Sequence, residues 1–118
     1  MEGIRLETGL KKLDDTDVLE LVGEIDVYTA PQFKEAVNKM LTSGQKHLII
    51  DMAGVTYMDS SGFGALLSAT KRLRPEGGTV NLVKCNPAID RILRITRLNT
   101  VFATFDSVDT AVKSVKSA

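Results

Sequence analysis

The sequence predicts an α/β fold, with a mixed, mainly parallel sheet, an N-terminal β-hairpin and about four helices. Three observations carry this. Short apolar runs alternate with helically spaced apolar stripes. The stripes are bracketed by helix start and stop residues. The first two apolar/polar runs are joined by an acidic turn in place of a helix.

In chain order, Ile4 to Leu13 and Val18 to Val22 flank Asp14-Asp15-Thr16-Asp17 and read as the hairpin, with Val18–Val22 the better strand. Thr29-Ala30-Pro31-Gln32 matches a capping box, with Pro31 suited to a first helical turn. Tyr28 and Phe33 sit at hydrophobic-staple positions. Phe33, Ala36, Val37, Met40 and Leu41 then recur at helical spacing until Ser43-Gly44. His47 to Asp51 reads as a central strand, and Met52 to Ser60 as the loop after it. Phe63, Leu66, Leu67, Thr70 and Leu73 form a second helical stripe, stopped by Pro75 and Gly77-Gly78. Thr79 to Val83 is a strand, and Asn86-Pro87 opens a helix with Ile89, Ile92, Leu93 and Thr96 on its inner face. A strand around Thr100 to Ala103 and a helix from about Ser107 complete the chain, the latter carrying Val108, Ala111, Val112 and Val115. Strands alternating with helices imply right-handed parallel crossovers.

The 118 residues suit one domain, residues 1–118. Fifteen basic residues balance fifteen acidic ones, so no general attraction to nucleic acid or anionic membrane is expected. One cysteine, Cys85, excludes an intrachain disulfide, and one histidine, His47, leaves few metal ligands or general bases. No metal or cofactor is implied. The start of the chain shows no signal pattern and no apolar run approaches a bilayer span, so a cytoplasmic location is expected.

In sheets of this kind functional loops gather beyond the carboxyl ends of strands. Two loops qualify, Gly23-Glu24-Ile25-Asp26 and Met52 to Ser60, and they lie side by side if their strands are parallel neighbours. Ser60, within Tyr57-Met58-Asp59-Ser60-Ser61-Gly62-Phe63-Gly64, reads as the N-cap of the second helix. A phosphate there would be favoured by the helix start and disfavoured by Asp59, so it would change the surface more than the fold. Gly62 and Gly64 leave a bare helix start open to a partner's backbone. A plain structural cap is the alternative use of Ser60.

Gly23–Asp26, Leu48–Asp51 and above all Val55 to Gly64 closely resemble the bacterial anti-sigma factor antagonists, which are free-standing STAS domains. The likeness spans essentially the whole chain, including Gly77-Gly78 and the Pro87–Leu98 helix. The resemblance implies a partner-switching regulator of transcription and a phosphoprotein, with no catalytic residues of its own. The unphosphorylated form would bind an anti-sigma factor serine kinase and release the sigma factor. Phosphorylation of Ser60 would end binding, and a PP2C-type phosphatase would reset the switch. Partner contacts carry over to Asp26, Asp59, Ser60, Ser61 and Gly62, and the free protein is expected to be monomeric. Phe63 stands where a smaller aliphatic is common in that family.

Two rivals remain at this level. A STAS scaffold, of the stressosome or anion-transporter type, would share the fold and act by assembly. A serine hydrolase would need a base, yet Asp-Ser-Ser-Gly is not a nucleophile elbow and His47 opens its strand at the far end from Ser60. No phosphate-binding P-loop is present. Cys85 precedes a helix start but reads as a packed thiol, Met40 and Met58 as gap-fillers, and Arg91, Arg94 and Arg97 as a solvated basic stripe, with a kinase contact the alternative.

Overall fold

Residues 5–117 are described in the computed structural model. The hairpin forms from β1 (Leu6–Leu13) and β2 (Thr16–Ile25). It turns on Asp14 and Asp15, both with positive φ (50° and 64°), the two-residue geometry that matches strand twist. Thr16 and Asp17, expected in the turn, belong to β2, and Lys12 pairs with Asp17 at 2.9 Å. Ile4 lies outside the described residues.

There follow α1 (Ala30–Thr42), β3 (His47–Met58), α2 (Ser60–Leu73), β4 (Thr79–Val83), α3 (Pro87–Ile95), β5 (Ala103–Phe105) and α4 (Val108–Lys116). The sheet order is β1-β2-β3-β4-β5, with β1 antiparallel to β2 and every later pair parallel. The expected mixed α/β architecture is therefore the observed one.

Alternation along the central strands builds two cores. Leu19, Leu21, Leu48, Ile50 and Leu82 point to the face that receives Phe33 of α1, Leu66 of α2, and Ile89 and Leu93 of α3. Their neighbours Val18, Ile49 and Val83 point to the opposite face and meet Val108, Ala111 and Val112 of α4. The central strands are thus buried on both sides, which is why Leu48-Ile49-Ile50 of β3 reads as an unbroken apolar run.

Several boundaries differ from expectation. β3 is twelve residues long, not five, and absorbs most of the segment expected to be a loop. Its second half pairs with β2 through two register irregularities, so buried Met52, Val55 and Met58 fall three apart and hide the period of two. β2 likewise continues through Ile25, which makes most of Gly23–Asp26 strand. β5 begins at Ala103, because Leu98–Thr100 forms a 3-10 turn. Within α3 only Ile89 and Leu93 are buried; Ile92 and Thr96 face outward. Tyr28 is 80% exposed and staples nothing, although Phe33 is fully buried.

Candidate functional site

The site is assembled where β2 and β3 end. Ile25 and Met58 are register partners, and Asp59 N donates to Ile25 O at 3.0 Å, so the ladder closes just before both chains leave the sheet. Asp26 leads one exit and Asp59 the other. The first turn of α2 then lies directly on Ile25: a Cβ at Gly62 would come within 2.7 Å of Met58 Sδ and 2.9 Å of Ile25 Cγ2. Gly62 is buried for this reason, so its missing side chain serves packing, while exposed Gly64 has open space around it.

The cap of α2 is Asp59, not Ser60. Asp59 is extended (φ −102°, ψ −170°), and its Oδ1 accepts from Ser61 N at 2.8 Å. A carboxylate can cap from that position and also opposes the helix dipole favourably. Ser60, released from capping, is the first helical residue and is exposed; Asp59 and Ser61 are half-buried beside it. Phe63, one turn in, points to the core and is 8% exposed, so it adds nothing to the outer surface.

The β2 exit is built differently. Asp26 Oδ1 accepts from Tyr28 N at 2.9 Å and Thr29 N at 3.1 Å, and Asp26 Oδ2 pairs with the Arg5 guanidinium. Thr29 does not form the expected capping box: its hydroxyl donates to Glu24 O at 2.8 Å and accepts from Asp26 N at 2.9 Å. Gln32 reaches instead to Leu6 O, at 3.0 Å. Burial works to raise the Asp26 carboxyl, but the Thr29 and Tyr28 amides and the charge of Arg5 outweigh it and hold the group below the usual carboxylate range. Asp26 is only 8% exposed, and its carboxylate is engaged internally by the Tyr28 and Thr29 amides and by Arg5. The outward groups of this loop are Glu24, Val27 and Tyr28, of which Val27 is 63% exposed.

Arg5 and Tyr28 were missed by sequence reasoning. Arg5 is one cation among fifteen basic residues with no motif around it, and Tyr28 resembled a staple. A signal was nonetheless present at Gly23. Its φ is +126°, and a side chain there would strike Arg5 O, so the glycine records the close approach of β1 to this loop.

The remaining candidates lie elsewhere. His47 opens β3 and Ser60 lies two residues past its end; twelve residues at about 3.3 Å each make a strand roughly 40 Å long at most, with the two at opposite ends, so His47 cannot act as that serine's base. Cys85 is half-buried, and burial with the nearby Asp90 charge pushes its thiol up to about 11, which keeps it protonated. Arg91 and Arg94 are exposed on α3, with Arg94 3.5 Å from Asp90, whereas Arg97 lies past the helix end at φ 63°. Among the described residues no cluster has the makings of a metal site, and no helix is long and apolar enough to cross a membrane.

Comparison with known proteins agrees with this geometry. Residues 9–111 match the model of the STAS domain family. An anti-sigma-B factor antagonist of Listeria monocytogenes is 37% identical over 89 residues, covering 74% of this chain and 78% of that protein. A Staphylococcus epidermidis protein of the same name is 32% identical over 85 residues, covering 72% and 79%. The crystal structure of an anti-sigma factor antagonist from Mycobacterium paratuberculosis superposes with a TM-score of 0.84 at 28% identity, covering 94% of each chain.

Proposed function

The chain belongs to the STAS domain family, among its anti-sigma factor antagonists, and we propose that it works as a phosphorylation-controlled switch centred on Ser60. Unphosphorylated, it binds an anti-sigma factor that is also a serine kinase, and the sigma factor is released. That kinase transfers the γ-phosphoryl group of ATP to Ser60. The new O–P bond forms at Oγ, the bond to ADP breaks, and the hydroxyl proton leaves to a base of the kinase. Dissociation follows, and a PP2C-type phosphatase restores the serine by hydrolysis. The cycle is cytoplasmic and needs no cofactor or catalytic residue from this chain, which acts as a single STAS domain.

The observation that carries this reading is the exposure of Ser60 at the first position of a helix already capped by the preceding aspartate. Because Asp59 does the capping, the Ser60 hydroxyl is free to be modified without loosening α2. The charges nearly balance. A dianion about 6 Å from Asp59 is repelled by roughly 1–1.5 kcal/mol in water, while the helix start favours each charge by about 0.3–1 kcal/mol. The fold is therefore indifferent to the phosphate, and a docked partner is not, since a buried, unpaired dianion costs several kcal/mol.

Ser60 and Ser61 are adjacent, so the test is site-resolved. The kinase is captured on the Ser60→Ala chain, then incubated with the wild-type chain and ATP, and the product is sequenced by mass spectrometry. Phosphate on Ser60 is the expected result. Phosphate on Ser61 alone, or none, would sink the assignment.

A further inference from the structure

Arg5 does not belong to the serine's helix or its loop, yet it holds three groups of the neighbouring exit at once. Its guanidinium pairs with Asp26 and, at 3.1 Å, with Glu24. The same group lies 5.8 Å from the centre of the Tyr28 ring. Its carbonyl accepts from Glu24 N at 2.8 Å. A planar guanidinium can serve two carboxylates and a ring face together, whereas the compact ammonium of lysine cannot.

The backbone beneath is equally constrained, since the Tyr28 and Thr29 amides both donate to Asp26 Oδ1. Tyr28 is nevertheless 80% exposed, with Val27 beside it in sequence at 63%. A ring that lies over a guanidinium on one side and is otherwise bare has less freedom to lose on binding than an unsupported one. Such residues recur as interface anchors. This loop starts one residue after Ile25, and the first turn of α2 rests on Ile25. The Tyr28 loop and the Ser60 helix start therefore form neighbouring parts of one surface.

We propose that Tyr28, carried on Arg5, is the anchor by which the anti-sigma factor kinase grips this chain when it phosphorylates Ser60, with Arg5 a positioning residue and Val27 the adjoining apolar contact. The kinase would present an apolar slot for the phenol ring next to its catalytic cleft. The inference rests on the reading of Ser60 as the modified serine, and it concerns how the substrate is held, not which atom reacts.

The test is steady-state phosphorylation of the full chain by the captured kinase at saturating ATP. Tyr28→Ala should raise KM about tenfold or more and leave kcat within about a factor of two, with an unchanged melting temperature because the ring is exposed. Arg5→Gln should raise KM to a similar degree, Arg5→Lys less, and hydrogen exchange at the Tyr28 and Thr29 amides should quicken in step. An unchanged KM for Tyr28→Ala overturns the anchor. A loss of thermal stability in Arg5→Gln with unchanged KM overturns the positioning role. If the wild-type chain takes no phosphate on Ser60, the switch reading fails, and calorimetric titration of the same variants with the same partner still decides the anchor: equal affinity for wild type and Tyr28→Ala overturns it.

Discussion

Asp26 and Asp59 leave neighbouring strands at the same level of the sheet and make the same local bond. Each accepts through Oδ1 from the amide two residues on, at 2.9 Å from Tyr28 N and 2.8 Å from Ser61 N. Their surroundings then part. Asp26 is buried and closed off by Arg5, and its loop sends side chains of other residues outward. Asp59 is half-buried and is followed at once by an exposed serine on a helix start. The shared Asx geometry fixes two chain exits with one kind of bond. The exits differ in ion pairing: Arg5 ties down the carboxylate of one, and the carboxylate of the other stands beside an exposed hydroxyl.

That contrast breaks most visibly at Ser60. Ser60→Asp should lower affinity for the kinase about a hundredfold or more, equivalent to roughly 2.7 kcal/mol, with unchanged circular dichroism and melting. Ser60→Ala should keep full affinity and accept no phosphate. A destabilised Ser60→Asp would mean that the helix start is structural after all. Next in size is Gly62→Ala, whose new methyl group meets Met58 and Ile25 at the junction of the two exits. Overpacking there should cost about 1–3 kcal/mol in urea denaturation; a neutral result would mean that the junction yields easily.

Smaller effects separate cap from charge at Asp59. Asp59→Ala should lose about 1–2 kcal/mol of stability, while Asp59→Asn, an equal cap without the charge that faces the helix dipole, should lose only about 0.3–1 kcal/mol. In the phosphorylated chain the order should reverse, with Asp59→Asn the more stable by up to about 1 kcal/mol, because the repulsion removed exceeds the charge–dipole attraction lost. Equal stability of the phosphorylated forms would show the phosphate turned away from Asp59.

Much of this was legible in the residues themselves. The element order followed from alternating apolar runs and stripes, and Asp59-Ser60-Ser61-Gly62 stands out in the sequence itself. What stayed hidden depended on contacts between distant segments. The twelve-residue β3 was obscured by register shifts against β2, which broke the alternation that marks a strand. The cap moved from Ser60 to Asp59 because the ladder ends at Met58, and that end is set by pairing with Ile25. The ion pair of Asp26 is made with an arginine 21 positions away, and Gly23 marks the close approach of that segment without identifying the residue.

The pH dependence of stability offers the finest discrimination, because at Asp26 two causes oppose each other. Burial alone would raise the carboxyl, and the donated amides and Arg5 lower it; the net direction is down. A carboxyl with a folded-state pKa below its unfolded value, about 3.9, contributes stability that is fully present above that value. The contribution is lost as pH falls through the lower folded-state value. Asp26→Asn keeps an amide acceptor and removes the charge, so the variant lacks this term at every pH. The gap in unfolding free energy between wild type and Asp26→Asn should therefore be flat from neutral pH down to about 4, then narrow as the solution becomes more acidic. Urea denaturation at closely spaced pH values measures it. A gap that widens with acidification would mean that burial outweighs the donors. Asp26 would then take up its proton more readily on folding, and Arg5 could not be the partner that distinguishes this exit from the one at Asp59.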